Sequence, residues 1–160
     1  MTINCKGNLI DLTTPKGMGI LNVTPNSFFD GGKYSNATEI LYQVEVMLNE
    51  GTTFIDIGGY SSKPNAEFVT EAEEINRILP VINLILQHFP EVLLSIDTFR
   101  SEVAKAAIEN GAALINDISA GNLDERMMET IAHYKVPYVM MHMRGNPETM
   151  QSLTHYNNII

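Results

Sequence analysis

The chain has 160 residues, of which 44% are hydrophobic and 18% charged, and its formal net charge is −9. This length suits one globular core, and the acidic balance argues against a surface that binds a nucleic-acid backbone. The only cysteine, Cys5, cannot form an internal disulfide, and the first residues lack the long apolar run of a signal peptide or membrane span. We therefore expect a soluble cytoplasmic protein with a single domain over residues 1–160.

Short apolar runs alternate with helix-like periodic segments along the chain. The first run, around Ile20, Leu21 and Val23, suits a strand covered on both faces. A polar, turn-forming stretch follows, and a helix is expected after Asn36, which has capping-box spacing to Glu39.

Further strands and helices alternate in the same way. The predicted strands are Thr53–Ile57, Val92–Ile96, Ala113–Ile118 and Pro137–Met141. The predicted helices are a long one after a capping box at Thr70 and Glu73, with a kink or break at Pro80, then Ser101–Asn110 and Leu123–Tyr134. Strand and helix alternate without hairpin signals, which predicts a parallel sheet with helical crossovers.

Each predicted strand ends in polar side chains, which are Asn22, Asp56, Asp97, Asn116 with Asp117, and His142. Such groups build an active site in a TIM barrel or a doubly wound sheet. Their spread over all the strands, and the absence of a glycine-rich phosphate turn after the first, favour the barrel. A closed barrel typically takes about 250 residues. The prediction is thus an α/β fold, a partial TIM barrel of about five βα units that stops before the barrel closes.

Five motifs follow these strands in order, and together they are specific. They are Gly19–Phe28, Asp56–Pro64, Ser95–Thr98, Ile115–Ile118 and Met141–Gln151. Through them the chain resembles the dihydropteroate synthase family from about Met18 to Gln151. The resemblance implies a folate-pathway transferase with a pterin pocket at the carboxyl end of a TIM barrel. Such an enzyme joins para-aminobenzoate to 6-hydroxymethyl-7,8-dihydropterin pyrophosphate and releases pyrophosphate with Mg²⁺ assistance.

The resemblance also implies roles for three strand-end residues. Asp97 and Asn116 would hydrogen-bond the pterin, whose edge presents donors and ring acceptors that a carboxylate and an amide can read. Asp97 would also stabilise positive charge as pyrophosphate departs. Asn22 would contact the pyrophosphate or offer one neutral oxygen to a magnesium ion that keeps several waters.

Two segments between these strands are implied to complete the site. The segment with Phe28 would close over it, and Ser62, Lys63 and Pro64 would hold the anion and the aminobenzoate. Lys63, the second catalytic candidate, supplies a cation for the phosphates but replaces the usual arginine and lacks its bidentate fork. Asn26 stands where the family usually has aspartate, which removes a charge near the anion.

Structural roles compete with some of these assignments. Asp97 could cap the following helix, and Asp56 could be structural. Asn116 or Asp117 could satisfy buried backbone groups. His142 is more readily explained as a hydrogen-bonded packing residue than as a catalytic one.

The resemblance implies that further family groups lie beyond residue 160, among them an aspartate, a lysine and an Arg-x-His pair. We therefore expect a fragment that is inactive or weakly active alone and that self-associates through an open sheet edge, as a homo-oligomer. Two alternatives are a pterin-binding module of a methyltetrahydrofolate-type methyltransferase and a non-catalytic half-barrel.

Overall fold

A computed structural model describes residues 1–23, 33–60 and 68–158. The strands are β1 (Thr2–Cys5), β2 (Asn8–Asp11), β3 (Gly17–Asn22), β4 (Thr52–Gly58), β5 (Leu93–Asp97), β6 (Leu114–Asp117) and β7 (Tyr138–Met140). The helices are α1 (Lys33–Asn49), α2 (Glu71–His88), α3 (Ser101–Glu109) and α4 (Met127–Tyr134), followed by a 3-10 turn at Met150–Ser152. No helix among these ranges is long and apolar enough to cross a membrane.

Strands β3 to β7 form a parallel sheet in chain order, with a helix in each described connection. Parallel neighbours require such crossovers, so the predicted α/β architecture is confirmed. Leu21, Ile57 and Ile96 project from one face of this sheet into the main core, where they pack with α2 residues such as Ile82 and Ile85. The helices cover this face, which leaves the opposite, inner face for the site.

The inner face changes from apolar to polar along the strands. At the amino end, Phe54 and Leu93 pack with Leu114 and with the amino-terminal hairpin through Cys5. Because side chains alternate between faces, the polar residues near the carboxyl ends share this inner face. The polar side chains of the inner face therefore lie at its carboxyl end, and apolar packing covers its amino end.

The hairpin of β1 and β2 was not predicted. The strands pair antiparallel, with Thr2 opposite Asp11 and Cys5 opposite Asn8. Lys6 and Gly7 both have positive φ, at 53° and 88°. A two-residue turn of this kind matches the twist of a hairpin, so the Lys-Gly pair was the missed signal.

Other expectations need correction at the element ends. Helix α1 begins at Lys33, so Asn36 lies after its start and not at the expected N-cap position. Helix α4 begins at Met127 and not at Leu123. Ile20 was expected to be covered on both faces of its strand, but its side chain is 69% exposed. It lies on β3, which is an edge strand in the described sheet, and in register with Asp56 on the inner face.

One of the two hydrogen bonds of the predicted capping box at Thr70 and Glu73 is confirmed. The Thr70 hydroxyl accepts a hydrogen bond from Glu73 N at 3.2 Å. The Glu73 side chain does not complete a capping box, since it pairs with Arg77 one turn later. Helix α2 continues through Pro80, so the helix has no break there, and the alternative of a kink stays a prediction.

Candidate functional site

Four residues form a row across the carboxyl ends of the strands. Asn22 pairs in register with Gly58, Gly58 with Asp97, and Asp97 with Asn116. Residues in lateral register project from the same face of a sheet. The sheet therefore brings Asn22, Asp97 and Asn116, which are far apart in sequence, to one edge of the inner face.

Gly58 leaves an open space inside this row. A Cβ atom at this position would lie 3.4 Å from Asn22 Oδ1 and 3.6 Å from Asp97 Oδ2. Both oxygens thus border the volume that any other residue would fill with its side chain. The glycine keeps two oxygen ligands accessible to a small bound group.

Asp97 supplies the carboxyl group of the row, and the pKa of this group is strongly perturbed. Burial, reinforced by the charges of Asp56, Glu74 and Asp117, raises its pKa to about 7. Near neutral pH this carboxyl is therefore balanced between its neutral and ionised forms. Asp97 does not cap helix α3, whose first amide, Ser101 N, donates to Asp124 Oδ2 at 2.7 Å.

Asp56 lies one pleat below the row and holds Asn116 in place. The Asn116 Nδ2 group donates to Asp56 Oδ2 at 3.1 Å. Burial raises the pKa of Asp56, while Ser95 and Asn116 oppose the shift. The other oxygen, Asp56 Oδ1, has no partner with good hydrogen-bond geometry among the described residues. Asp56 thus orients the Asn116 amide, and one oxygen remains available.

Asp117, next in sequence to Asn116, is structural. Its carboxylate accepts hydrogen bonds from Ser119 N at 2.7 Å, Gly121 N at 2.9 Å and the Tyr138 hydroxyl at 2.5 Å. It is fully buried on the side of the sheet opposite Asn116. The expectation that one of this pair satisfies buried backbone groups is confirmed for Asp117.

A network beside Asp97 was not predicted. Glu74, on α2, is only 1% exposed, and its Oε2 accepts from Arg100 Nη1 at 2.5 Å. Burial raises the pKa of Glu74, and Thr98 and Arg100 oppose that shift. The sequence places Glu74 beside Glu71 and Glu73 in the first turn of α2 and does not reveal which of the three faces inward.

His142 is hydrogen-bonded, as expected, but it is exposed and does not pack in the core. Its Nε2 lies 3.2 Å from the Tyr156 hydroxyl, and Arg144 Nη1 donates to His155 O at 2.6 Å. These residues follow β7 and contact one another, apart from the Asn22–Asn116 row.

The remaining predicted site residues, Phe28, Ser62, Lys63 and Pro64, lie outside the described residues. Their roles stay predictions. The described chain approaches Lys63 from both sides, at Tyr60 and at Phe68.

Two side chains of the row could contribute oxygen ligands to a hard cation. The space at Gly58 is bordered by one amide and one carboxylate oxygen, which are ligands that Mg²⁺ accepts. Within residues 1–23, 33–60 and 68–158, no group of three or more His, Cys, Asp or Glu side chains could hold a metal ion. A magnesium ion here would need waters and substrate oxygens to complete its shell.

The fold and the row define a class: an α/β protein of parallel strands whose polar side chains gather at the carboxyl ends, where proteins of this architecture bind their ligands. Comparison of the sequence with known families narrows this. Residues 18–160 match the family of pterin binding enzymes, and the chain belongs to that family.

Individual relatives agree. The chain is 50% identical over 143 residues to folic acid synthesis protein fol1 of Pneumocystis carinii, covering 89% of this chain and 19% of the relative. It is 41% identical over 160 residues to dihydropteroate synthase of Haemophilus influenzae, covering all of this chain and 58% of the relative.

Solved structures give the same result. A Yersinia pestis dihydropteroate synthase bound to a sulfonamide drug matches with a TM-score of 0.85 and 41% identity, over 99% of this chain and 57% of that one. The Xanthomonas albilineans dihydropteroate synthase with 4-aminobenzoic acid matches with a TM-score of 0.81 and 36% identity, over 98% of this chain and 54% of that one. The chain spans little more than half the length of these structures.

Proposed function

We propose that this chain forms the pterin-binding part of a dihydropteroate synthase. The proposed reaction condenses para-aminobenzoate with 6-hydroxymethyl-7,8-dihydropterin pyrophosphate. The methylene C–O bond to pyrophosphate breaks, a C–N bond to the arylamine forms, and the nitrogen loses a proton. The observation that carries the proposal is the in-register pair of Asp97 and Asn116 at the strand ends.

The two side chains suit complementary parts of a pterin edge. Ionised Asp97 accepts hydrogen bonds from ring and amino N–H groups, while Asn116 can both donate and accept. Asp56 holds the Asn116 amide through Nδ2, which favours presentation of its carbonyl oxygen to a donor on the ligand. A carboxylate near the methylene carbon also stabilises the positive charge that develops as pyrophosphate departs.

Asn22 and Lys63 are proposed to act on the anionic half of the substrate. Asn22 Oδ1, which borders the Gly58 space, would be one ligand of Mg²⁺. When bound, the ion neutralises phosphate charge and so makes pyrophosphate a better leaving group. Lys63 would pair with the phosphates, and Ser62, Pro64 and Phe28 would contact substrate, as the family resemblance implies.

We also propose a cytoplasmic location and a homo-oligomeric state. The single cysteine is free and buried, as suits a reducing compartment. The sheet has two outer strands, β3 and β7, whose outer hydrogen-bonding edges have no strand neighbour in the described sheet. Such edges favour pairing between copies.

Calorimetric titration of the chain with the pterin pyrophosphate and Mg²⁺ tests the function. We expect binding that Asp97→Ala weakens by about tenfold or more, because a buried, charge-assisted contact is lost. Asp11→Ala, which removes an exposed carboxylate from the hairpin, is the matched control and should bind normally.

Three results would contradict the proposal. Equal binding by the Asp97→Ala variant would remove Asp97 from the pterin site. Tighter binding of a methyltetrahydrofolate than of the pterin pyrophosphate would favour the methyltransferase alternative, and no binding of either would favour the non-catalytic half-barrel.

A further inference from the structure

A polar cluster of Thr98, Glu74 and Arg100 lies behind the end of β5, on the side of the sheet that α2 covers. Thr98 is 3% exposed and Glu74 only 1%. Successive side chains of an extended chain point to opposite faces, so Thr98 points away from the face that carries Asp97. The Thr98 cluster therefore contacts the end of β5 from the side opposite the proposed site.

The hydrogen bonds of the Thr98 cluster converge on the threonine hydroxyl. Arg100 N donates to Thr98 Oγ1 at 3.2 Å. The Thr98 hydroxyl in turn bonds the Glu74 carboxylate and so opposes the burial that raises the pKa of Glu74. Glu74 Oε2 also accepts from Arg100 Nη1 at 2.5 Å, and only 13% of the arginine side chain is exposed. The hydroxyl thus acts as a donor and an acceptor at once.

The backbone of Thr98 connects this cluster to the proposed pterin site. Thr98 N donates to Asn116 O at 3.0 Å, one step beyond the register pair of Asp97 and Asn116. This bond holds the end of β5 against β6 where the two side chains leave the sheet. A shift of the Thr98 backbone would therefore change the spacing between the Asp97 carboxyl group and the Asn116 amide.

Stability gives little reason for a charged pair of Glu74 and Arg100 at this position. Taking two charges out of water costs free energy that their attraction only partly returns, and apolar residues of similar volume often stabilise a core as well or better. A polar network with satisfied hydrogen bonds instead favours one arrangement of the groups that it joins. The Thr98 cluster is therefore suited to fixing the geometry at the end of β5.

We propose that Thr98 is a positioning residue for the pterin site: its hydroxyl, bonded to Glu74 and Arg100, fixes the end of β5 so that Asp97 and Asn116 face the ligand together. This inference rests on the proposed function for its consequence in binding. Thr98 acts through the two residues of the row and not through contact with the ligand.

Hydrogen exchange tests the positioning role without any ligand. Thr98→Val keeps the shape of the side chain but removes its hydroxyl, and we expect the residue 98 amide to lose about tenfold in protection. The acceptor of this amide, Asn116 O, is untouched by the substitution, so lower protection reports a displaced strand end. Thr13→Val, which removes an exposed hydroxyl bonded to Asp11, is the matched control. Unchanged protection at residue 98 in Thr98→Val would overturn the proposal.

Two further exchange measurements separate this role from general stability. The amide of Ile85, whose side chain is buried in the core, should keep its protection in Thr98→Val. An equal loss at residues 85 and 98 would indicate general destabilisation and would contradict the proposal. Thr98→Ser retains the hydroxyl and should restore the protection at residue 98, whereas a loss equal to that of the valine variant would count against a role for the hydroxyl.

A double-mutant cycle tests the consequence for binding. Affinity for 6-hydroxymethyl-7,8-dihydropterin pyrophosphate with Mg²⁺ is measured by calorimetry for Thr98→Val, Asp97→Ala and the double variant. We expect Thr98→Val alone to weaken binding about tenfold, and to have a much smaller effect once Asp97 is replaced. Equal losses in both backgrounds would show that Thr98 does not act through Asp97 and would overturn the proposal.

Glu74→Gln covers the case in which Thr98→Val does not fold. Glutamine keeps the size of the side chain and one acceptor oxygen, but the loss of charge weakens the bonds from Thr98 and Arg100. We expect lower protection of the residue 98 amide in this folded variant, and normal protection there would contradict the inference. Failure of the unsubstituted chain to bind would contradict the proposed function, whereas the exchange result decides the positioning role independently.

Discussion

At the residue scale, the site depends on an unfavourable placement of Asp97. Its carboxyl group is mostly buried, close to Asp56 and Glu74, and its pKa rises to about 7 from 3.8. A position that disfavours the charge of a carboxylate gains from a ligand that donates hydrogen bonds to it. Burial of the Asp97 carboxylate thus costs free energy in the unbound protein, and hydrogen bonds from a pterin edge would reduce that cost on binding.

The first prediction is that Asp97→Asn stabilises the unbound protein at alkaline pH. The folded-state pKa lies above the unfolded value, so the wild type loses stability as pH rises from about 4 to above 7. The amide avoids this loss, and we expect a gain of about 1–3 kcal/mol in the free energy of unfolding at pH 8. Urea denaturation at several pH values measures it.

The gain in the free energy of unfolding of Asp97→Asn should disappear near pH 3, where the Asp97 carboxyl is protonated in both the folded and the unfolded state. Asp11→Asn is the control. Hydrogen bonds from Thr13 lower the pKa of Asp11, so replacing this carboxylate should not raise the free energy of unfolding at pH 8. Lower stability of Asp97→Asn than of the wild type at pH 8 would contradict the burial argument.

The second prediction concerns the open space at Gly58. In Gly58→Ala, the new methyl group would make ordinary contacts of 3.4 and 3.6 Å with Asn22 and Asp97. We expect a stability change below about 1 kcal/mol but at least about a tenfold loss in affinity for the pterin pyrophosphate with Mg²⁺. Titration calorimetry and urea unfolding separate the two effects, and retained affinity would show that no ligand uses this space.

At the element scale, α2 links the core to the site. Its buried face includes Ile78, Ile82 and Ile85 in the core, and Glu74 near its start beside Arg100. The same helix donates from Arg77 to Gly59 O. Its packing therefore determines where the chain leaves β4, immediately before the segment that carries Lys63.

The third prediction follows from the close contact between this helix and Gly59. A Cβ atom at Gly59 would lie 2.8 Å from Ile78 Cγ2 and 3.3 Å from Glu74 Cγ. Gly59→Ala should therefore lower the free energy of unfolding by about 1–3 kcal/mol through overpacking. Thermal or urea unfolding measures this effect.

Gly17→Ala is the matched control for both glycine variants. Its Cβ would meet only Thr52 Cα, at 3.7 Å, so neither stability nor ligand affinity should change much. Equal stability of the Gly17→Ala and Gly59→Ala proteins would show that the end of β4 can move away from α2.

At the scale of the whole molecule, the described sheet has two open edges. Strands β3 and β7 each have a single neighbour, and apolar side chains on them are exposed, including Ile20 at 69%, Val139 at 42% and Met140 at 58%. Unpaired strand edges with apolar neighbours are prone to associate. Ile20 and Val139 lie on the inner face, in register with Asp56 and Asn116, so this face combines the proposed site with exposed apolar side chains.

The fourth prediction is concentration-dependent self-association through these edges. Val139→Lys should shift the chain toward monomer, because a charge on an edge strand disfavours strand pairing. Sedimentation velocity over a range of concentrations measures it. Tyr42→Lys, on the exposed side of α1, should associate like the unsubstituted chain, and a monomeric wild type at all concentrations would contradict the prediction.

The sequence by itself determined the order of the strands and helices from β3 to β7 and the polar character of the strand ends, because both follow from local periodicity and chain chemistry. Thr70 caps α2 as predicted, and Gly51 and Gly111 take positive φ just after helices, a conformation that glycine adopts readily. It also carried the five motifs of the family. The Lys6–Gly7 turn was equally local, and its signal was present but overlooked.

Only the tertiary structure decided which polar groups work together. Asp56 and Asn116 are 60 residues apart, and their hydrogen bond depends on the register of strands that no local pattern determines. Likewise, the sequence could not separate buried Glu74 from its neighbours or pair it with Arg100 across 26 residues. Burial and charge proximity are properties of packed elements, so the raised pKa of Asp97 emerges only once the sheet and α2 are assembled.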